Sequence, residues 1–100
     1  MPAFKVEVPH QLGREQSRQR LEGFVARARQ VYKDQISELN GDWDGDKLNF
    51  YMVTYGFKIT GALEVFEDLV RLSGQLPIAA VAFRGKIEKS FATELQRALA

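Results

Sequence analysis

The segment Trp43-Asp44-Gly45-Asp46-Lys47-Leu48-Asn49-Phe50, with Gly56, Gly61, Leu63 and Val65 close behind it, constrains the fold of this chain more than any other stretch. Aspartate and glycine tolerate the positive φ of tight hairpins, so Asp44-Gly45 predicts a turn between a strand over Ile36–Trp43 and a second over Lys47–Tyr55. Gly56 marks the next turn. Phe57, Ile59, Gly61, Leu63 and Val65 then form one apolar face, with Lys58, Thr60 and Glu64 opposite. Glu67-Asp68 reads as a third turn, leading into a strand over Leu69–Gly74 with Val70 and Leu72 inward and Arg71 outward. Upstream, Phe4, Val6 and Val8 alternate with Lys5 and Glu7, which predicts a half-buried strand ended by Pro9.

The flanking segments have helical spacing. Leu21, Phe24, Val25, Ala28, Val31 and Tyr32 recur every three or four residues, which predicts one amphipathic helix from Arg14 to Asp34 with its arginines outside. Gly23 costs such a helix about 1 kcal/mol, a cost that implies close approach to the sheet. Near the C-terminus, Pro77 suits a helix start, Ala79, Ala80 and Ala82 favour helix, and Ile87, Phe91, Leu95 and Ala98 supply a core face. Gly85 is either a kink or the start of the final helix. The expected fold class is α+β: an antiparallel sheet of four to five strands with two helices packed on one face, in the order β-α-β-β-β-β-α, as a single domain over residues 1–100.

With 45% apolar and 27% charged residues the chain is of ordinary globular composition. There is no cysteine, which excludes disulfides, thiolate metal sites and cysteine nucleophiles. No run approaches the ~20 apolar residues of a membrane span. Nor does Met1-Pro2-Ala3-Phe4-Lys5 start a signal peptide, so a cytoplasmic location is expected. The net charge of +1 is unevenly spread: Arg14, Arg18, Arg20, Arg27, Arg29 and Lys33 dominate the first helix, and acidic residues dominate Asp34–Asp68. The basic helix is read as a solvated face rather than an anion-seeking one. No aromatic platform or recognised motif accompanies its arginines, so nucleic acid is not expected as a partner.

Residues that would carry chemistry are sparse. Asp42, Asp44 and Asp46 alternate as in a calcium loop, but Lys47 stands where such a loop needs glycine and Val53 where it needs a bidentate glutamate. They read as solvated hairpin carboxylates. His10 is the single histidine, has no partner nearby in sequence, and is read as a partly exposed turn residue. Gly56–Gly61 lacks the Gly-Lys-Ser/Thr ending of a phosphate loop. The expectation is therefore no enzyme, no catalytic residue, no metal and no cofactor.

The aromatic residues are more informative. In the strand Lys47–Tyr55, Leu48, Phe50 and Met52 point one way and Tyr51, Val53 and Tyr55 the other. With Thr60 and Ala62 on the neighbouring strand, Tyr51, Val53 and Tyr55 form a candidate ligand or partner surface on the outer sheet face, suited to a homodimer or an apolar partner. The alternative is ordinary cross-strand pairing on a solvated sheet. Beneath the helices, Phe50, Met52, Ile59, Phe83 and Phe91 either fill the core or line a pocket between the sheet and the C-terminal helix.

Read together, the strand ending Pro9-His10-x-Leu12-Gly13, the arginine-rich helix, Trp43-x-Gly45-Asp46-x-Leu48-x-Phe50, Gly56-x4-Gly61-x-Leu63-x-Val65 and Lys86-Ile87-Glu88 resemble the polyhydroxyalkanoic acid system proteins, also described as granule-region proteins. The likeness covers roughly Phe4 to Leu99. The Trp43-to-Val65 segment is its most specific part, Lys33–Asn40 is prone to insertion, and Gly74-Gln75-Leu76-Pro77 departs from the usual leucine-glycine run. The resemblance implies a role in bacterial polyester storage and offers no catalytic residues to carry over. It implies structural duties for the motif: Asp46 capping the turn, Trp43 and Phe50 anchoring core. The leading expectation is a non-enzymatic accessory protein at the polyhydroxyalkanoate granule surface, partnered by that surface or by granule proteins. Two others stand beside it: an acyl- or lipid-binding protein using the pocket, and a homodimeric structural module.

Overall fold

The computed structural model describes residues 2–100; Met1, part of the expected domain, lies outside the described residues. The chain forms β1 (Ala3–Pro9), α1 (Gly13–Glu22), α2 (Phe24–Val31), β2 (Ile36–Asp44), β3 (Lys47–Thr54), β4 (Phe57–Val65), β5 (Leu69–Gln75), a short 3-10 helix (Ile78–Phe83) and α3 (Arg84–Leu99). The five strands make one antiparallel sheet in the order β1-β5-β4-β3-β2, so consecutive strands β2 to β5 form a meander and β1 closes its far edge. The α+β class, the strand order along the chain and the helices on one face are as the sequence implies.

The turns follow from their residues. Gly45, at φ +61°, occupies the first central position between Asp44 and Lys47, where a two-residue hairpin of type II′ needs positive φ. Between Thr54 and Phe57 both central residues are left-handed, Tyr55 at φ +51° and Gly56 at φ +81°, the pattern of a type I′ turn. Tyr55 therefore belongs to the turn and not, as expected, to the strand. In the sheet, Gly61 and Gly74 sit directly opposite each other. A Cβ on Gly61 would collide with the Ser73 carbonyl oxygen, and one on Gly74 with the Thr60 carbonyl oxygen, so only glycine allows the two backbones to close up.

The inner sheet face carries the core. Phe4, Val6, Val8, Leu48, Met52, Ile59, Leu63, Val65, Val70 and Leu72 are buried beneath Leu21 of α1 and Leu95 and Leu99 of α3. Phe4 and Phe91 stack with ring centroids 5.5 Å apart, joining α3 to the β1 edge. The first helical segment is not one helix: it breaks at Gly23, whose φ and ψ of −84° and −3° leave the helical ladder. The reason expected for that glycine is also corrected, because a Cβ there would meet the Arg27 guanidinium at 2.5 Å rather than the sheet. From the break onward the two arms separate. The α1 arm packs against α3, and α2 rests on the edge strand β2. At Gly85 there is no kink: the final helix starts one residue earlier, at Arg84, and the alanine-rich stretch before it is a 3-10 turn.

Candidate functional site

Because α2 leans over one sheet edge and α3 lies over the other, the central strands are left uncovered between them. The space is a cavity of about 890 Å³ with a floor of β3 and β4 and walls of α2 and α3. That volume is within the ~300–1,000 Å³ range of small-molecule sites. Its lining is mainly apolar. Leu48, Phe50 and Met52 rise from β3 and Ile59 and Leu63 from β4, as strand alternation requires. Phe24, Val25 and Ala28 contribute from α2, and Ile87, Phe91 and Leu95 from α3.

The polar groups concentrate on the helical walls and at the rim. Tyr32 and Gln35 follow α2, Thr54 and Tyr55 lie at the β3–β4 turn, and Lys86, Lys89, Ser90, Thr93 and Glu94 line the α3 side. The neighbouring Glu94 carboxylate raises the pKa of the Tyr32 phenol and so favours its protonated form. This is the opposite of the activation a tyrosine base requires. Among the described residues, no group of three or more His, Asp or Glu side chains could hold a metal ion.

The five residues expected beneath the helices, Phe50, Met52, Ile59, Phe83 and Phe91, all border this cavity. Met52 and Ile59 are buried, Phe50 and Phe91 half-buried, and Phe83 is 52% exposed at the mouth. The outer-face set separates. Tyr51 and Val53 alternate outward on β3 and pair with Thr60 and Lys58 of β4. The surroundings of Tyr51 are polar: its hydroxyl oxygen accepts from the Asn40 amide at 2.9 Å, and the Lys58 ammonium lies 4.9 Å from its ring centroid. Ala62 is half-buried opposite Ser73. Tyr55, turned by its positive φ, is 78% exposed and lines the cavity mouth, away from the other four.

The arginines of the first helical segment are exposed, as read, except for half-buried Arg18, and three of them, Arg14, Arg18 and Arg29, also tie the helices to the sheet. The Arg18 guanidinium lies 3.6 Å from the Trp43 ring centroid, its Nε donates to the Gly45 carbonyl at 3.1 Å and its Nη1 meets Glu22 at 2.7 Å. Arg14 stands 3.7 Å from Asp46, and Arg29 donates to the Leu39 carbonyl and to Asn40 Oδ1. The Asp46 carboxylate thus faces Arg14, while its carbonyl accepts from the Val65 amide at 2.9 Å. Trp43 is half-buried beneath Arg18, packed against the core cluster. His10 accepts from the Leu12 amide at Nδ1, which places its proton on Nε2, a buried atom without a partner among the described residues. Spacing alone shows the i,i+4 pair Arg18–Glu22 but not the contacts of Arg14, Arg18 and Arg29 with the sheet, which join residues from separate segments.

Fold and cavity together define a small α+β protein whose helices flank an apolar chamber floored by an antiparallel sheet. The chain belongs to the family described as "Putative polyhydroxyalkanoic acid system protein", whose model matches residues 4–99. No curated protein matches it. Among solved structures, that of TTHA0849 from Thermus thermophilus is similar, with 14% identity, a TM-score of 0.48 and coverage of 98% of this chain and 94% of that one. No helix among the described residues is long and apolar enough to cross a membrane.

Proposed function

We propose that this is a non-enzymatic accessory protein of polyhydroxyalkanoate storage that holds an acyl or hydroxyacyl chain in the cavity between α2, α3 and the sheet. The observation that carries the reading is the cavity itself: about 890 Å³, lined by Phe50, Met52, Ile59 and Phe91 among other apolar side chains. An aliphatic chain buried there gains ~25 cal/mol for each Å² removed from water. Family membership supplies the class of chain. The absence of catalysis in this reading rests on the titratable groups that line the cavity. Tyr32 is kept in its protonated form by Glu94, Glu94 is paired with Arg97, the Thr93 hydroxyl donates to the Lys89 carbonyl, and Lys86 and Lys89 stand exposed at the rim, an arrangement that favours binding over acid–base work. A cytoplasmic location at or near the granule belongs to the same proposal.

Thermal unfolding with medium-chain 3-hydroxy acids tests it. Ligand at a hundredfold excess over Kd stabilises by about 2.7 kcal/mol, which for a domain of this size raises Tm by about 10 °C or more. Ala28→Phe, which fills the cavity from α2, is expected to fold normally and to lose that rise. A wild-type chain whose Tm ignores every acyl ligand would end the proposal.

A further inference from the structure

Five large hydrophobic residues are exposed among those described: Val31, Tyr55, Ile78, Val81 and Phe83. Three of them crowd the six-residue 3-10 helix, at 75%, 41% and 52% exposure for Ile78, Val81 and Phe83. In a 3-10 helix residues i and i+3 eclipse, so Ile78 and Val81 stand in one row. Phe83 and Tyr55 also line the cavity, which makes this apolar rim continuous with its mouth.

Along the 3-10 helix and the first turn of α3 the charge has one sign, while the one carboxylate lining the cavity on α3, Glu94, lies two turns further along that helix. From Leu69 to Ile87 the sequence has no acidic residue. Lys86 and Lys89 are exposed on the mouth side of α3, and neither has a carboxylate within ion-pair distance among the described residues. The nearby acids are engaged elsewhere: Glu88 accepts from the Lys5 amide at 3.0 Å, and Glu94 meets Arg97 at 3.2 Å. Arg84 donates to the Ala3 carbonyl at 3.3 Å.

We infer that this rim docks on an anionic lipid surface, with Ile78, Val81, Phe83 and Tyr55 entering the apolar layer and Lys86 and Lys89 meeting the headgroups. Apolar side chains bordered by lysines are the composition that binds at such an interface. A second copy of the chain fits poorly. Four partly exposed side chains offer a few hundred Å² at most, against the ~800 Å² per partner of a stable interface. Such a dimer would also set lysines against lysines around an open cavity. An anionic surface meets the same rim with complementary charge, and the cavity then opens into a layer of acyl chains. Docking of this kind does not depend on what fills the cavity.

Co-sedimentation of the full chain with phosphatidylglycerol/phosphatidylcholine vesicles tests it, with pure phosphatidylcholine vesicles alongside. The chain is expected to pellet with the anionic vesicles and to be released by high salt, since each lysine near such a surface strengthens binding about fivefold at low salt. Ile78→Ser with Val81→Ser removes two rim side chains that do not line the cavity, and is expected to weaken binding about tenfold or more. Lys86→Glu with Lys89→Glu is expected to abolish the preference for anionic vesicles, while Tyr51→Ser on the outer face leaves it intact. Circular dichroism and the 3-hydroxy-acid Tm rise of the Ile78/Val81 variant separate a lost surface from a lost fold or an unloaded cavity. The inference is overturned by no binding to anionic vesicles, by equal binding to neutral ones, by indifference to the rim substitutions, by binding confined to bare polyester particles, or by a rim-dependent dimer in sedimentation.

Discussion

The two ends of the sheet are built on opposite plans. At the end where β2 turns into β3, long-range polar contacts lock the helices down: Arg18 lies over Trp43 and donates to Gly45, Arg14 faces Asp46, the Arg14 amide donates to Glu67 at 3.3 Å, and the His10 amide to the Asp68 carbonyl at 2.9 Å. At the other end, where β3 turns into β4, the helices have parted. Apolar side chains face solvent, a tyrosine holds a left-handed turn, and two lysines have no carboxylate partner among the described residues. The difference teaches where stability and function are divided in a 100-residue chain. One end fixes the helices so that the other can stay open.

Four substitutions and one pH series test that division, from the largest effect to the smallest. Gly74→Val forces a side chain against the Thr60 carbonyl and Phe4 in the sheet near the open end, where backbone cannot yield. It is expected to cost about 3 kcal/mol or more and to leave the chain unfolded or aggregated, as urea denaturation would show. Arg18→Ala removes the cation–π contact and two hydrogen bonds from the locked end, with an expected loss of about 1–2 kcal/mol in the same assay. By contrast Lys86→Ala at the open end is expected to leave stability unchanged.

Tyr55→Asn should move the other way. A bulky residue at φ +51° is strained by roughly 1 kcal/mol, and asparagine tolerates that conformation, so a gain of about 0.5–1 kcal/mol is expected. A gain there would show that the native turn gives up stability at the mouth. The smallest measurable shift concerns pH. The Arg71 guanidinium, hydrogen-bonded to Glu7 at 2.8 Å, holds that carboxyl below the ordinary glutamate value. A carboxyl lowered in the folded state stabilises at pH above its unfolded value, and the contribution fades as pH falls through the lowered folded value. Arg71→Gln should therefore narrow the difference in urea midpoint between neutral and acid conditions, slightly because the pair is on the surface.

Much of the fold is legible in the sequence because its signals are local. Strict alternation around Phe4, Val6 and Val8, the Asp44-Gly45 pair and the turn at Gly56 each act over a few residues. The break at Gly23 is not legible, since a single glycine in a periodic pattern costs a helix only about 1 kcal/mol and many helices absorb it. The alanines at 79, 80 and 82 read equally as α or 3-10 helix. The face of Tyr55 is hidden for a related reason: alternation extends only as far as the strand does, and positive φ turns the residue toward the mouth. The cavity depends on the angle between α2 and α3, set by contacts between distant segments such as Arg29 of α2 with the Leu39 carbonyl and Phe91 of α3 with Phe4. The lining side chains are visible in the sequence as apolar; whether they meet one another or leave a space is decided by that angle.

Amide hydrogen exchange with and without a saturating medium-chain 3-hydroxy acid tests the division of the two ends most directly. The account predicts slower exchange confined to the open end, at Thr54–Lys58, Phe83–Ser90 and the C-terminal turn of α2, with Arg14–Arg18 and Trp43–Lys47 unchanged. Uniform protection, or protection centred on the Trp43–Arg18 end, would contradict it.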